Sequence, residues 1–346
     1  MEKIKHLYRI SGLRYVFGLL GLSYLAGYFV CVVEKIKILS KSKIDKLEKE
    51  RGIQFLKEPN FESKLIKLNS GKIDNESVRT INLVFDRYLF MATHEFQEPF
   101  EKKEISEQFV VKKFMKNIDK IYQLPVIQYE SNVFYYHCGL NIFNNKDITD
   151  KIKSYINSKD FIDAGAFVGD SALLFIKEYK AQKVFCFEPE NKNYDLLLRT
   201  IETNQSKKII PIKKGVGDVV DKKASITSSG SISHILPKIN ANIVETIELT
   251  TIDEFVNTTN NLSVGLIKMD IEGYEFKAIK GAMSTIIKHK PILLISIYHS
   301  PTDFFEIKPY IEQLNLNYKF FIRKINPFTL VSETMLICVP EELLIK

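Results

Sequence analysis

The sequence predicts an α/β protein whose core is a doubly wound, mostly parallel sheet, preceded by a helical N-terminal extension. From residue 160 onwards, short apolar segments alternate with helical ones, the order expected of successive βαβ units. Pro291–Tyr298, with the sequence PILLISIY, is a continuous apolar run of the kind found in parallel strands buried on both faces. Ligand sites of such sheets lie at the carboxyl ends of the strands, so the candidate functional residues are expected there.

The first βαβ unit, residues 160–190, combines a glycine turn with an acidic residue after its second strand. Asp163 ends the first strand, and Gly165 and Gly169 bracket the turn that leads into a helix. Glu188 follows the second strand, 19 residues after Gly169. Glycines allow a ligand to approach the backbone closely, and a carboxylate about 20 residues further on accepts hydrogen bonds from ribose hydroxyls. The unit therefore predicts an adenosine cofactor.

Two classes of adenosine cofactor use such a unit, and the turn residues favour one of them. A dinucleotide fingerprint, G-x-G-x-x-G, places a pyrophosphate on the helix N-terminus, but Phe167 replaces its second glycine. Asp163 and Asp170 would repel the pyrophosphate by roughly 1 kcal/mol or more. S-adenosylmethionine carries a sulfonium and an amine and no phosphate, so it is the cofactor we predict. A nicotinamide-dependent oxidoreductase and a non-catalytic adenosine-binding protein remain as alternatives.

Acidic and glycine residues also follow the later strands of the predicted sheet. One carboxylate after a strand is often only a helix N-cap, whereas several sets at one edge predict a ligand site. Four strands are followed by such residues: Asp163 with Gly165, Glu188, Gly217 with Asp218, and Asp270 with Glu272.

The same segments resemble the FkbM family of S-adenosylmethionine-dependent methyltransferases. The matching text is IDAGAFVGDSA at the first strand, FEPE after the second, GVGD after the third, then TIDEF, IKMDIEGYEFKAIKGA and PILLISIYH. The resemblance covers roughly Val126–Pro340, and the order of its motifs is specific. No comparable resemblance covers residues 1–110. We therefore predict a mostly helical extension over residues 1–120 and an FkbM-like methyltransferase domain over residues 121–346.

The resemblance implies a seven-stranded class I methyltransferase fold, a Rossmann-like sheet that ends in an antiparallel hairpin. It also implies which residues bind the cofactor. Asp163, Gly165 and Gly169 would surround its methionine part. Glu188 would hold the ribose hydroxyls, and Asp218 would lie near the adenine.

Methyl transfer is an in-line displacement at a sulfonium, which needs an acceptor oxygen about 3 Å from the methyl group and help in its deprotonation. The resemblance implies that Asp270 sits beside the transferring methyl, and Asp270 is our first candidate base. Glu272 and His299 are the next candidates, although each also has a structural interpretation, as a first-turn helix charge or a strand-end histidine. These three residues are chemically able to hold a divalent metal ion, but their spacing does not demand one and none is predicted.

The identity of the acceptor is the property of the site that the sequence predicts least closely. The family typically methylates a hydroxyl of a sugar or polyketide-like molecule, so we predict O-methylation of a small-molecule, saccharide or glycolipid-type acceptor. Amine methyltransferases commonly carry an Asn/Asp-Pro-Pro-aromatic tetrapeptide after the fourth strand, and Asp270–Gly273 stands there instead. The cofactor half alone leaves N-methylation open. Specificity is expected in Val126–Leu140, in a loop over residues 221–240 and in residues 299–309, none of which has a readable code.

The bulk composition is that of a globular protein without a nucleic-acid signature. The chain has 346 residues, of which 45% are hydrophobic, and a net charge of +7. Its basic residues are spread widely and are not interleaved with aromatic residues, so we predict no nucleic-acid partner. Cys186 and Cys338 fall within apolar strand segments, and there is no C-x-x-C motif. This usage predicts reduced core thiols in a cytoplasmic protein. No motif indicates an oligomeric state.

An uncharged segment near the N-terminus leaves two interpretations open. Tyr15–Val33 has 19 residues without a charge, enough to span a bilayer. Both of its flanks are basic, so the positive-inside rule gives no orientation. A cytoplasmic catalytic domain after a single span would require the basic N-terminus to cross the membrane. A buried helix, or one lying on the inner face of the membrane, is at least as compatible with the sequence.

Overall fold

The computed structural model describes residues 46–94, 100–115, 146–220, 223–227, 234–236 and 245–345. Within them the predicted α/β architecture is confirmed, with a mostly parallel sheet of seven strands and helices on both of its faces. The uncharged segment Tyr15–Val33 and the acceptor segment Val126–Leu140 lie outside the described residues. No helix in the described ranges is both long and apolar enough to cross a membrane.

Two sheets are formed by the described strands. In chain order these strands are β1 (Asp160–Ala164), β2 (Val184–Phe187), β3 (Ile209–Ile212), β4 (Gly215–Val216), β5 (Lys223–Thr227), β6 (His234–Leu236), β7 (Glu245–Thr250), β8 (Val264–Met269), β9 (Ile292–Ser296), β10 (Tyr318–Lys324) and β11 (Thr334–Pro340). The main sheet has the order β10-β11-β9-β8-β1-β2-β3, and β11 is antiparallel to both of its neighbours while the other pairs are parallel. The smaller sheet has the order β4-β7-β5-β6.

Helices cover both faces of the main sheet. The described helices are α1 (Lys46–Lys57), α2 (Phe61–Leu68), α3 (Asn75–Thr93), α4 (Lys102–Met115), α5 (Lys146–Ile156), α6 (Asp170–Glu178), α7 (Asn191–Thr203), α8 (Ile252–Thr258), α9 (Glu275–Lys280), α10 (Met283–His289) and α11 (Pro301–Glu312). The segment Glu275–His289 forms two helices, α9 and α10. They separate at Gly281, where a Cβ atom would lie 2.0 Å from the carbonyl oxygen of Gly217.

Alternate residues of each strand enter different cores, as the period of two along a strand requires. Ile162 and Ile267 belong to the core covered by α3 and α8–α11, whereas Phe161 and Leu266 belong to the core covered by α5–α7. Cys186 and Cys338 are buried free thiols, which confirms the prediction of reduced core residues. The apolar segments in the sequence are therefore continuous because both faces of the sheet are buried.

The strand register aligns the carboxyl ends of four neighbouring strands. Ala164 of β1 is paired with Phe187 of β2 and with Met269 of β8, and Met269 is paired with Ile295 of β9. Residues that directly follow these strands therefore meet at one edge of the sheet. The predicted site residues of β1, β2, β8 and β9 all follow their strands at this edge.

The helices before residue 116 pack on the main sheet rather than apart from it. Phe55 of α1 stacks on Tyr88 of α3 with ring centroids 3.8 Å apart, and both belong to the core that includes Ile162 and Ile267. Arg323 of β10 forms an ion pair with Asp74 at the start of α3. The described part of the N-terminal region thus shares a core with the sheet.

Part of the loop predicted over residues 221–240 is strand. Lys223–Thr227 pairs antiparallel with Glu245–Thr250, and His234–Leu236 pairs with Lys223–Thr227 in turn. The prediction of a loop was wrong for these residues because pairing with a neighbouring strand outweighs the low strand propensity of Ser and Lys.

Candidate active site

The turn after β1 is held in left-handed backbone conformations. Gly165 has a φ of 78° and Gly169 a φ of 83°. A Cβ atom on Gly165 would lie 1.9 Å from the carbonyl oxygen of Asp270, so no other residue fits between this turn and the loop after β8. Phe167, in place of the second fingerprint glycine, is also left-handed with a φ of 48°. A strained conformation of a bulky residue is typical of a functional turn.

Replacing Gly165 by alanine is expected to destabilise the fold by more than about 2 kcal/mol, because alanine is strained at this φ and its Cβ collides with backbone. Gly71→Ala is the matched control. Gly71 has a φ of 77°, but its Cβ would meet a side chain, the carboxylate of Glu312, instead of backbone. Chemical denaturation of both variants measures the difference. Equal destabilisation would show that the contact with Asp270 does not matter.

A buried ion pair lies beneath the glycine turn. Asp163 is fully buried, and its Oδ1 lies 3.2 Å from Nζ of Lys268 in β8. Nζ of Lys268 also donates to the carbonyl oxygen of Gly165 at 2.6 Å, and the hydroxyl of Ser171 donates to Asp163. Burial raises the pKa of Asp163 above its usual value, against the opposing charge of Lys268. Sequence analysis missed Lys268, although a single lysine within an apolar strand was the available signal.

The three predicted catalytic residues converge after β8 and β9. Nε2 of His299 lies 3.3 Å from Oε2 of Glu272 and 3.6 Å from Oδ1 of Asp270. The His299 side chain is 1% exposed, whereas those of Asp270 and Glu272 are 22% and 18% exposed. Glu272 and Gly273 have φ values of 56° and 93°, so two successive left-handed residues turn the chain at this point. This turn lies beside His299, whose Cβ is 3.7 Å from the place of a Cβ on Gly273.

A further carboxylate, Glu275, fixes the imidazole of His299. Glu275 is fully buried and accepts hydrogen bonds from the N–H groups of Ile271 and Gly273, each at 2.8 Å. Its Oε1 also lies 2.8 Å from Nδ1 of His299. Because both oxygens of Glu275 are engaged, the ring is oriented with Nε2 toward Asp270. Sequence analysis did not single out Glu275, because it is indistinguishable from an ordinary first-turn helix charge.

Burial and neighbouring charges shift the pKa values of His299 and Glu272. Burial acts to lower the pKa of His299, but Glu275, Glu272 and Asp270 outweigh it and raise that pKa to about 10. Burial raises the pKa of Glu272 to about 7, against the charges of His299 and Arg51. At neutral pH the histidine is therefore protonated in the ligand-free protein. Glu272 is poised between its two forms, which is the condition for exchanging a proton near neutral pH.

Arg51 brings the N-terminal helices into contact with this group. Its guanidinium nitrogen lies 3.8 Å from Oε2 of Glu272, and its Cζ lies 5.7 Å from the ring centroid of Tyr298. Gly52 permits this approach of α1, since a Cβ there would lie 2.6 Å from the carbonyl oxygen of Tyr88. Arg51 was not among the predicted site residues. No local pattern distinguishes this arginine from its charged neighbours.

The comparisons with known proteins decide the family of this site. Residues 163–320 match the family model described as the methyltransferase FkbM domain. These residues are therefore similar to an FkbM methyltransferase domain. S-adenosylmethionine is the cofactor expected of this family. A search of curated proteins finds no match to the chain.

One solved structure, an FkbM methyltransferase, supports the fold, and two others are reported as more distant likenesses. The methyltransferase FkbM of Methylobacillus flagellatus is 20% identical, with a TM-score of 0.52 over 80% of this chain and 58% of that one. This chain therefore spans less than two thirds of that relative. M. capricolum TrmK in complex with S-adenosyl-homocysteine is 12% identical over 56% of this chain and 66% of that one, with a TM-score of 0.31. Aeropyrum pernix fibrillarin with bound S-adenosyl-L-methionine is 9% identical over 53% and 67%, with a TM-score of 0.34.

Glu188 is arranged so that it fits the ribose of such a cofactor. Its Oε2 accepts the N–H of Phe167 at 2.9 Å, and its Oε1 accepts the N–H of Glu190 at 3.0 Å. Each carboxylate oxygen accepts more than one hydrogen bond, so each retains capacity for a hydroxyl. The left-handed Phe167 supplies one of the two N–H groups that hold the carboxylate. The residues present therefore fit the adenosine half of S-adenosylmethionine.

Replacing Glu188 by alanine should weaken the binding of S-adenosylhomocysteine by about 1–3 kcal/mol, because its hydrogen bonds to the ribose are lost. Calorimetric titration measures the change. Glu202→Ala, on the exposed side of α7, is the control and should bind as the wild type does. Unchanged affinity in Glu188→Ala would remove this residue from the ribose site.

Glu188 should also make the stability of the cofactor-free protein depend on pH. Burial raises its pKa from 4.5 to about 8, despite the two N–H donors. Because the folded state then binds the proton more tightly than the unfolded state, stability falls as the pH rises from about 5 to about 8. In Glu188→Gln this part of the slope should disappear, as followed by denaturation at several pH values. An unchanged slope would show that the carboxyl group ionises normally.

Gly169 and Asp218 are the other two residues that the sequence predicts to bind the cofactor. A Cβ atom on Gly169 would lie 2.6 Å from Cδ1 of Leu197, so Gly169 allows close packing of the turn on α7. Asp218 is exposed in the turn after β4, beyond the edge strand β3. Near it, a Cβ atom on Gly217 would lie 3.1 Å from the ring of Tyr274.

Proposed function

We propose that the protein transfers a methyl group from S-adenosylmethionine to a hydroxyl oxygen of a saccharide or glycolipid-type acceptor. The observation that carries the proposal is the convergence of Asp270, Glu272 and His299 directly beside the glycine turn. Asp270 connects the two parts, because its carbonyl oxygen is the atom against which Gly165 packs. A base beside the cofactor turn is the arrangement that methylation of a hydroxyl requires.

Asp270 takes the proton of the acceptor in this proposal. The acceptor oxygen forms a bond to the methyl carbon while the bond from that carbon to the sulfonium sulfur breaks. The hydroxyl proton passes to the carboxylate of Asp270, and S-adenosylhomocysteine leaves. His299 is protonated and buried, so it stabilises the negative charge that gathers on the acceptor oxygen and the carboxylates. Glu272, with a pKa of about 7, is the second candidate for the proton.

The cofactor is proposed to lie at the carboxyl ends of β1 and β2 and to reach the turn after β4. Its methionine part contacts the turn of Asp163, Gly165 and Gly169. Its ribose hydroxyls are bound by Glu188, and Asp218 lies near the adenine. Asp163 contributes through the turn itself, since its carboxylate is engaged by Lys268 and Ser171.

The N-terminal region is proposed to place this domain at the inner face of a membrane. Residues 1–120 form an extension with the uncharged segment 15–33, and residues 121–346 form the catalytic domain in the cytoplasm. A glycolipid-type acceptor suits such a position, because its saccharide lies at the membrane surface.

The test is methyl transfer from isotope-labelled S-adenosylmethionine to a panel of saccharides and glycolipids. The expected product carries the label as an O-methyl group, located by mass spectrometry. A matched panel of amines and of RNA tests the competing acceptors. Label on nitrogen or in RNA, with none on any hydroxyl, would contradict the proposal.

A further inference from the structure

The fold brings the side chains of Asp270, Glu272 and His299 together, although His299 is distant from the other two in the sequence. Asp270 and Glu272 follow β8, and His299 follows β9, 27 residues after Glu272. Because β8 and β9 are adjacent parallel strands, the side chains meet at one point. There, Nε2 of His299 lies 3.3 Å from Oε2 of Glu272 and 3.6 Å from Oδ1 of Asp270.

We propose that Asp270, Glu272 and His299 bind a divalent metal ion. Metal–ligand bonds of about 2.0–2.2 Å place neighbouring ligand atoms about 2.9–3.6 Å apart. The two distances from Nε2 fall within that interval. Within the described part of the chain, the ligand atoms of Asp270, Glu275 and His299 all lie within 4.8 Å of one another, which places Glu275 beside the proposed ligands.

Two buried atoms at this point lack hydrogen bonds to the described residues. They are Nε2 of His299 and Oδ1 of Asp270. The His299 side chain is 1% exposed, so bulk water does not reach its ring. A buried polar atom without a hydrogen bond is costly. A cation bound between these two atoms would satisfy both of them.

The surroundings of His299 are those of a metal ligand. A ligating histidine usually donates its second ring N–H to a carboxylate, which fixes its tautomer and its orientation. Glu275 occupies that place at 2.8 Å from Nδ1. It is in turn held by the N–H groups of Ile271 and Gly273. Glu275 therefore orients the imidazole, and a metal ion bound at Nε2 displaces the proton that this nitrogen carries in the metal-free protein.

The donor set indicates which cations suit the site. Two carboxylates and one imidazole combine the preferences of Mn²⁺ with those of Zn²⁺ and Fe²⁺. Three protein ligands leave coordination positions for water or for the oxygens of a second molecule, as in catalytic sites. Resting on the proposed function, we infer that the metal binds the acceptor hydroxyl and acts as a Lewis acid. Asp270 binds by Oδ1, and its second oxygen takes the proton.

The experiment is the titration of Mn²⁺ into full-length protein that has been stripped with a chelator, followed by the paramagnetic signal of unbound Mn²⁺. The wild type is expected to bind one Mn²⁺ per chain. Asp270→Asn and His299→Gln should each weaken binding about 10–100-fold. The control is His289→Ala, a histidine at the end of α10 outside the group, and it should bind as the wild type does.

Folding of each variant is checked by its thermal unfolding, and Asp270→Asn decides alone if His299→Gln does not fold. No binding up to about 1 mM, or equal binding by wild type and Asp270→Asn, would overturn the metal site. Methyl transfer is measured on the same samples. Mn²⁺ binding without methyl transfer to any hydroxyl would contradict the proposed function and leave the metal site standing. Methyl transfer that persists in the presence of chelator, without any Mn²⁺ binding, would contradict the metal site and leave the proposed function standing.

Discussion

Replacing Asp270 by asparagine is expected to lower the rate of methyl transfer about 10²–10⁴-fold, the range for loss of a general base. Asparagine keeps the size of the side chain, and the backbone carbonyl that contacts Gly165 is unchanged. The affinity for S-adenosylhomocysteine should therefore stay close to that of the wild type. Single-turnover kinetics with labelled cofactor, together with calorimetry, separate the two effects.

The matched control for this substitution is Asp195→Asn, which makes the same chemical change on the exposed face of α7. It should transfer methyl groups at the wild-type rate. A wild-type rate in Asp270→Asn would remove Asp270 from the mechanism. A loss of cofactor affinity equal to the loss of rate would instead show that Asp270 binds the cofactor rather than activating the acceptor.

Replacing Lys268 by methionine is expected to reduce the free energy of unfolding by about 3–5 kcal/mol. Lys268 is buried, and it is the cation that faces the fully buried Asp163 at 3.2 Å. Its removal leaves a carboxylate in an apolar interior. It also removes the donor to the carbonyl oxygen of Gly165, so the glycine turn loses its attachment to β8. Denaturant unfolding measures the loss.

Two further variants show whether the ion pair is the cause. Lys207→Met, in the exposed turn before β3, should change stability by less than about 0.5 kcal/mol. The double variant Lys268→Met with Asp163→Asn should be more stable than Lys268→Met alone, because no charge remains buried. If the double variant is no more stable, the effect of Lys268 comes from packing and not from its charge.

The local geometry of the glycine turn is predictable from the sequence, because the residues that form it are close together in the chain. Gly165, Gly169 and Glu188 lie within one βαβ unit, where a fixed spacing along the chain places them in space. The structure adds the reason that Phe167 is tolerated in the turn. Its left-handed backbone supplies an N–H to Glu188, which no sequence motif encodes.

The catalytic half is only partly predictable, because it depends on contacts between distant segments. Asp270, Glu272 and His299 were expected at the same sheet edge, and the pairing of β8 with β9 confirms that they meet. The contact of Glu275 with His299 depends on the left-handed turn at Glu272 and Gly273, and neither residue type demands that conformation.

Arg51 shows the limit of local patterns most clearly. It lies in a mixed-charge helix, KLEKERGIQFLK, in which charged residues precede it on both faces. Only the packing of α1 on α3, through Gly52 and Tyr88, directs this one arginine toward Glu272. Burial of a charged residue is set by the tertiary structure, so sequence analysis alone had no signal for it.

Calorimetric titration with S-adenosylhomocysteine, and separately with NAD, tests most directly whether the edge formed by the glycine turn and Glu188 is a methyltransferase cofactor site. We predict micromolar binding of S-adenosylhomocysteine, weakened in Glu188→Ala, and no binding of NAD. Binding of NAD alone would contradict the account, because Phe167 and the acidic residues beside the turn would then have failed to exclude a pyrophosphate.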